Sequence, residues 1–182
     1  PDMNYGWARG ASALAMIAVL GGPLAACDRA PAAPDETASQ NLRAAEFFLT
    51  SNARVEGVQT LPSGVQYKVL RSGPAGGEHP DRNDLVRVDY EGTLTDGTVF
   101  DSSFQAGQPA VFTVSEVVPG WTEVLQHMRV GDEWVVYLPP ALGYGEEGRP
   151  GIPPNAVMVF RLKLLEVAPV PGGERGGAIG QG

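Results

Sequence analysis

Between Val86 and Gly145 an unusual number of aromatic side chains sit on alternating extended segments and beside glycines instead of in one helical stripe. That pattern commits the middle of the chain to a sheet. In Val86-Arg87-Val88-Asp89-Tyr90-Glu91 the two-residue period turns Val86, Val88 and Tyr90 to one face and Arg87, Asp89 and Glu91 to the other. Asp96-Gly97 follows as a hairpin turn. Beyond it, Val99-Phe100-Asp101-Ser102-Ser103, Val117-Val118-Pro119-Gly120-Trp121 and Leu142-Gly143-Tyr144-Gly145 add more aromatic and branched groups, with one carboxylate and a second phenol. Large apolar groups with a few polar anchors make a cup for an apolar ligand.

Further strands are expected at Gly64 to Arg71, Asp84 to Leu94, Ala110 to Val114, Glu133 to Pro139 and Val157 to Val167. In the last, Met158, Phe160, Leu162 and Leu164 share a face opposite Arg161 and Lys163, as in a half-buried antiparallel strand. From Gly120 to Gly131 the period changes. Trp121, Val124, Leu125 and Met128 fall at i, i+3, i+4 and i+7, which predicts a short amphipathic helix lying across the apolar face of the sheet. A sheet with one crossing helix is an α+β architecture.

The ends of the chain read differently. An apolar run from Ala11 to Ala26, preceded by Arg9 and broken by Gly21-Gly22-Pro23, is too short to span a bilayer but suits a signal h-region. Leu24-Ala25-Ala26-Cys27 is similar to a bacterial lipobox, so residues 1–26 are expected as a lipoprotein-type signal peptide and Cys27 as the acylated residue, the alternative being an ordinary secretory peptide. Pro1-Asp2 does not read as a translation start, leaving Met3 or an upstream site as initiator. Residues 27–36 are expected to be a Pro-rich disordered tether. Thr37 and Gln40 have capping-box spacing, and Leu42, Ala45, Phe48, Leu49 and Asn52 lie close to a 3.6-residue stripe, predicting one N-terminal helix within 37–56. It serves either as a dimerisation stalk or as a helix packing its Leu42/Phe48 stripe on the domain. Its shortness favours packing, since a stalk needs several heptads, and a monomer is expected. Residues 168–182, rich in glycine, read as a disordered tail.

Composition excludes several functions. A net charge of −8, with Lys68 and Lys163 the only lysines and the arginines scattered, argues against nucleic acid, which demands a basic stripe. Ser102 and Ser103 have no neighbouring histidine, and His79 and His127 are far apart, so neither a hydrolytic triad nor a metal site is expected, and no cofactor. Gly143-Tyr144-Gly145 does not open a helix with a lysine, which makes a phosphate cradle weak.

The ordered blocks Val88 to Gly92, Gly97 to Ser103, Val118-Pro119-Gly120-Trp121, Val130-Gly131-Asp132, Tyr144-Gly145, Gly151 to Ala156 and Val159-Phe160 resemble the FKBP family of peptidyl-prolyl cis-trans isomerases. The resemblance covers residues 57–167. The approach from Glu56 to Tyr67 is similar to the bacterial envelope subgroup that includes the macrophage infectivity potentiator type. The resemblance implies a half-barrel sheet wrapped on the helix, a periplasmic enzyme anchored to the membrane by its lipid, proline-containing clients, and inhibitors of the macrolide type. It also implies a catalytic pocket of Tyr90, Phe100, Asp101, Val118, Trp121, Tyr144 and Phe160, with Phe112, Val117 and Ile152 binding substrate. In the family the counterpart of Asp101 accepts a hydrogen bond from the phenol at Tyr90, the Tyr144 hydroxyl holds the substrate carbonyl, and the Val118 N–H anchors the chain after proline. Departures are Ala110 where many members carry an aromatic residue, Arg149 in place of a loop histidine, and one residue fewer between Gly151 and Pro153. A non-catalytic FKBP-fold binding module or holdase, and a purely structural lipoprotein, are the competing expectations.

Overall fold

The computed structural model describes residues 34–172. The expected signal peptide, Cys27 and most of the tether and tail lie outside them.

Helix α1 (Pro34–Asn52) precedes strands β1 (Val58–Thr60), β2 (Gln66–Arg71), β3 (Leu85–Leu94) and β4 (Val99–Ser102). A one-turn helix α2 (Ser103–Ala106), strand β5 (Ala110–Thr113), helix α3 (Pro119–His127) and strands β6 (Glu133–Leu138) and β7 (Met158–Ala168) complete the order. The strands form one seven-stranded sheet, β1-β2-β6-β7-β3-β4, with β5 also on β3. All pairings are antiparallel. The free edge of β3 is shared: β5 pairs with Leu85 to Val88, and β4 with Glu91 to Thr93. That split lets the chain leave the sheet between β4 and β5 and return, opening the space in which the cleft lies.

The alternation in the sequence is the alternation in the sheet. Val86, Val88 and Tyr90 on β3, Trp134, Val136 and Leu138 on β6, and Met158, Phe160, Leu162 and Leu164 on β7 are all buried on the face that α3 covers. From α3, Trp121, Val124 and Leu125, followed by Met128, enter that core at the predicted helical spacing. Each fully buried side chain of this size contributes about 2–3 kcal/mol. Pro119 at the first turn of α3 costs no hydrogen bond and fixes φ for helix entry.

Two boundaries and one position of a buried face differ from the sequence reading. Helix α1 begins at Pro34, three residues before Thr37, because proline is well suited to a first helical turn; Thr37 and Gln40 are therefore interior, and the Gln40 side chain donates to Glu36 Oε1 at 3.2 Å. The buried stripe of α1 is the expected one, with Ala45 and Asn52 buried and Phe48 and Leu49 half-buried, except at Leu42, which is 40% exposed. Asn52 Nδ2 donates to Gln66 Oε1 and Gln66 Nε2 to the Leu49 carbonyl, both at 2.8 Å, and Phe48 meets Tyr137 with ring centroids 6.1 Å apart. Polar bonds at the helix end thus join the apolar stripe on the face that packs. Finally, Ala168 pairs with Leu85, and the Val170 N–H donates to buried Asp84 at 3.0 Å, so the chain stays on the domain past the start of the expected tail.

Candidate functional site

An open cleft of about 620 Å³ lies between β3, β4, the start of α3 and the loop that follows β6. Every pocket residue expected from the sequence lines it: Tyr90, Phe100, Asp101, Phe112, Val117, Val118, Trp121, Tyr144, Ile152 and Phe160. Glu116, Arg149 and Pro150 line it too. Glu116 was not foreseen, because a lone acid in a polar segment carries no pattern; its place beside Val117-Val118 was the signal available.

Trp121 is the hub of the floor. It is 4% exposed, and Tyr90, Phe112 and Phe160 stand nearly perpendicular to it at centroid distances of 5.2, 5.6 and 5.1 Å. Phe100 in turn meets Phe160 edge-on at 5.5 Å. Perpendicular rings match the positive edge of one quadrupole to the negative face of the next, worth about 0.5–1.5 kcal/mol per pair beyond burial. Gly92 permits the arrangement. A Cβ at that position would sit 2.6 Å from the Phe100 ring and 2.8 Å from that of Phe160. Ala110 pairs with Val88 and leaves its aromatic role to Phe112, two residues on and therefore on the same face of β5.

The rim is polar at two places. Tyr90 Oη donates to Asp101 Oδ2 at 2.7 Å. Burial, then that hydrogen bond and the charge of Asp101, push the phenol well above its ordinary range, against a smaller opposing effect of Arg149. Tyr90 therefore stays a donor, and exposed Asp101 keeps its remaining acceptor sites toward solvent. Ser102 caps α2, its oxygen accepting from the Gln105 N–H at 3.3 Å. Just past β4, buried Ser103 Oγ accepts from the Tyr90 N–H at 2.9 Å and donates to Asp89 at 3.0 Å, locking the start of α2 against β3.

Across the cleft, Arg149 Nη1 donates to Tyr144 Oη at 2.7 Å, and the guanidinium carbon lies 4.9 Å from the centre of the same ring. With its oxygen accepting from a cation, the Tyr144 hydroxyl has its own proton left to donate. Val118 caps α3 with an extended backbone, its carbonyl accepting from the N–H groups of Trp121 and Thr122. His79 and His127 are exposed and line no part of the cleft. The site is thus an aromatic cup with hydrogen-bond groups at its rim and no paired acid and base.

Comparison with known proteins accounts for this geometry. A family model described as FKBP-type peptidyl-prolyl cis-trans isomerase matches residues 76–165, and the model of the domain amino-terminal to it matches residues 23–69. The chain is 49% identical over 128 residues to the peptidyl-prolyl cis-trans isomerase Mip of Coxiella burnetii, covering 70% of this chain and 55% of that protein. It is 45% identical over 134 residues to the outer membrane protein MIP of Legionella longbeachae, covering 73% and 57%. It therefore spans little more than half the length of these curated relatives. The crystal structure of a peptidyl-prolyl cis-trans isomerase from Pseudomonas syringae pv. tomato superposes with a TM-score of 0.68 at 35% identity, covering 77% of this chain and 100% of that one. Since these two curated relatives are 49% and 45% identical and match more than two thirds of this chain, and the family model matches residues 76–165, the chain belongs to the FKBP-type peptidyl-prolyl cis-trans isomerase family.

Proposed function

We propose that this chain accelerates cis-trans isomerisation of X-Pro peptide bonds by receiving the proline ring in the aromatic cup. The observation that carries this reading is the convergence of the aromatic lattice around Trp121 with two polar rims and no acid-base pair. Rotation about a prolyl amide makes and breaks no σ-bond; its barrier of about 18–20 kcal/mol comes from amide resonance. The planar amide is more dipolar than the twisted one. Moving it from water into an apolar site therefore raises the ground state relative to the transition state. Tyr90, Phe100, Trp121 and Phe160 supply the walls and floor, with Val117 and Ile152 beside them.

The rims orient the substrate. Tyr144 donates its hydroxyl proton to the carbonyl next to the rotating bond, polarised by Arg149 on its oxygen. Asp101, steadied by Tyr90, accepts from the substrate and does not exchange a proton with it. The Val118 N–H holds the chain after proline. A protease-coupled assay on a Pro-containing peptide tests this reading: a non-catalytic module or holdase would bind the peptide and leave the rate of isomerisation at its uncatalysed value.

Location is part of the same proposal. The Leu-Ala-Ala-Cys signal and the similarity to a relative named as an outer membrane protein support an envelope lipoprotein anchored through Cys27 in the periplasm and acting on exported chains; the shortness of α1, 19 residues, supports a monomer. Two or three acyl chains hold a protein far more firmly than one, each buried CH₂ adding about 0.8 kcal/mol. Among the described residues no helix is long and apolar enough to cross a membrane. Cys27→Ala is expected to shift the protein from the membrane fraction to the soluble fraction. An unchanged membrane fraction would remove the anchor.

A further inference from the structure

The cleft wall formed by residues 144–155 is a loop that braces itself. The Gly148 N–H donates to the Tyr144 carbonyl at 3.1 Å, and Arg149 and Ile152 exchange backbone hydrogen bonds at 2.9 and 2.8 Å. The Asn155 N–H, donating to the Gly145 carbonyl at 2.8 Å, closes the neck. A loop braced in this way is stiff within itself, and its internal bonds do not set the angle at which it leans over the cleft; Ile152, 4% exposed, seats one point of it in the core.

Two side-chain amides tie the neck to α1. Asn41 Nδ2 donates to the Pro154 carbonyl at 2.8 Å, and Asn155 Nδ2 donates to the Ala38 carbonyl at 3.0 Å. Ala38 and Asn41 are three residues apart and so neighbours on the helix surface. Asn155 is buried, and among the described residues it is the one non-glycine residue at positive φ, 53°. A backbone of that kind persists only where its surroundings over-determine it. Here they do so from both sides, through the backbone bond to Gly145 and the side-chain bond to Ala38.

We propose that α1 is a positioning element of the cleft: Asn41 and Asn155 fix the pose of loop 144–155, and with it the selectivity among substrates that differ in the residues flanking proline. The substrate side of this claim rests on the isomerase reading above. The proline ring occupies the aromatic floor, so the flanking residues lie against the walls, one of which is the tip of this loop with Arg149, Pro150 and Ile152. Released from α1, the loop samples other poses and that wall is lost. The floor around Trp121 and the Asp101 rim stay in place, so binding of flanking residues suffers more than turnover does.

The experiment uses the whole chain with Asn41→Ala, Asn155→Gly and the double substitution. Glycine keeps the left-handed backbone at 155 without strain, so only the amide is removed. On a series of peptides differing only in the residue before proline, each variant is expected to raise KM for the preferred peptides by about three- to tenfold. The preference among peptides flattens, kcat stays within about twofold, and the double variant is less than additive because both bonds hold one object. Relaxation dispersion on backbone amides is expected to show new microsecond-to-millisecond exchange at Tyr144, Arg149 and Ile152, with β6 and β7 silent. A double variant with unchanged selectivity and a silent loop overturns the proposal. So does a uniform loss of kcat across all peptides that tracks a fall in Tm, which is what a purely structural role would give. If the parent chain accelerates no peptide, the isomerase reading fails by itself, and the amide relaxation alone then decides whether α1 holds the loop.

Discussion

Asp101 and Trp121 both line the cleft, yet one is exposed at its rim and the other is 4% exposed beneath it, and the two should fail differently when changed. Asp101→Ala removes the acceptor of Tyr90 where water can replace it, so the stability cost stays near 1 kcal/mol. Tyr144→Phe removes the hydroxyl that Arg149 orients. Each is expected to lower kcat/KM about 10-fold, equivalent to about 1.4 kcal/mol, with Tm little changed. If Asp101→Ala unfolded the domain while activity per folded molecule stayed at the parent level, its role would be structural. Trp121→Ala is expected to cost about 3–5 kcal/mol, measured by denaturant titration, and to abolish most activity, because three perpendicular rings lose their common partner.

At the scale of elements, the cup depends on how closely β3, β4 and β7 approach at Gly92. Gly92 pairs with Asp101 on one side and Phe160 on the other, so its missing side chain is where two rings meet. Gly92→Ala is expected to destabilise by about 1–3 kcal/mol, since ring atoms within 2.8 Å of the new methyl must be displaced. Its activity per folded molecule should also fall. Full activity together with an unchanged denaturation midpoint would show that the rings have room to spare. Alanine is ordinarily well tolerated in place of glycine in a regular strand, so the direction of this prediction comes from the neighbours across the sheet.

For the whole molecule, pH separates catalysis from stability. No proton moves during amide rotation, and the one strongly shifted phenol in the cleft is pushed upward, so kcat/KM is expected to be flat between about pH 6 and 8. A bell in that interval would require a titrating catalytic group and would overturn desolvation as the mechanism. Stability behaves otherwise at high pH. The unfolded chain loses the Tyr90 proton near pH 10, whereas the folded protein keeps it, bound by burial and Asp101. The folded state then holds more protons than the unfolded state, and stability falls as pH rises. The contribution is complete below about pH 10 and is lost as pH climbs through the higher folded value; Tyr137, also raised by burial, adds the same sign. Denaturant titrations at pH 8 and 11 should show the fall, and Tyr90→Phe should reduce it. An equal fall in that variant would place the linkage elsewhere.

Periodicity is a local property, and what it encodes was legible along the chain. The two-residue alternation of β3, β6 and β7 and the 3.6-residue spacing of α3 each report which face is apolar, so the sheet, its crossing helix and the core side chains follow from the sequence. The ordered blocks from Val88 to Phe160 made the cleft residues legible as well, since resemblance in many separated segments constrains one arrangement of all of them. Packing partners are not local, and the tertiary structure alone decided them. Leu42 looks like a core residue of α1 until the tertiary fold leaves it 40% exposed while Ala45 and Asn52 of the same stripe are buried. Arg149 looks like a loop charge until the chain folds it over Tyr144. Asn41 carries no pattern at all, because its partner, the Pro154 carbonyl, is a backbone atom 113 residues away and backbone acceptors are written identically at every position.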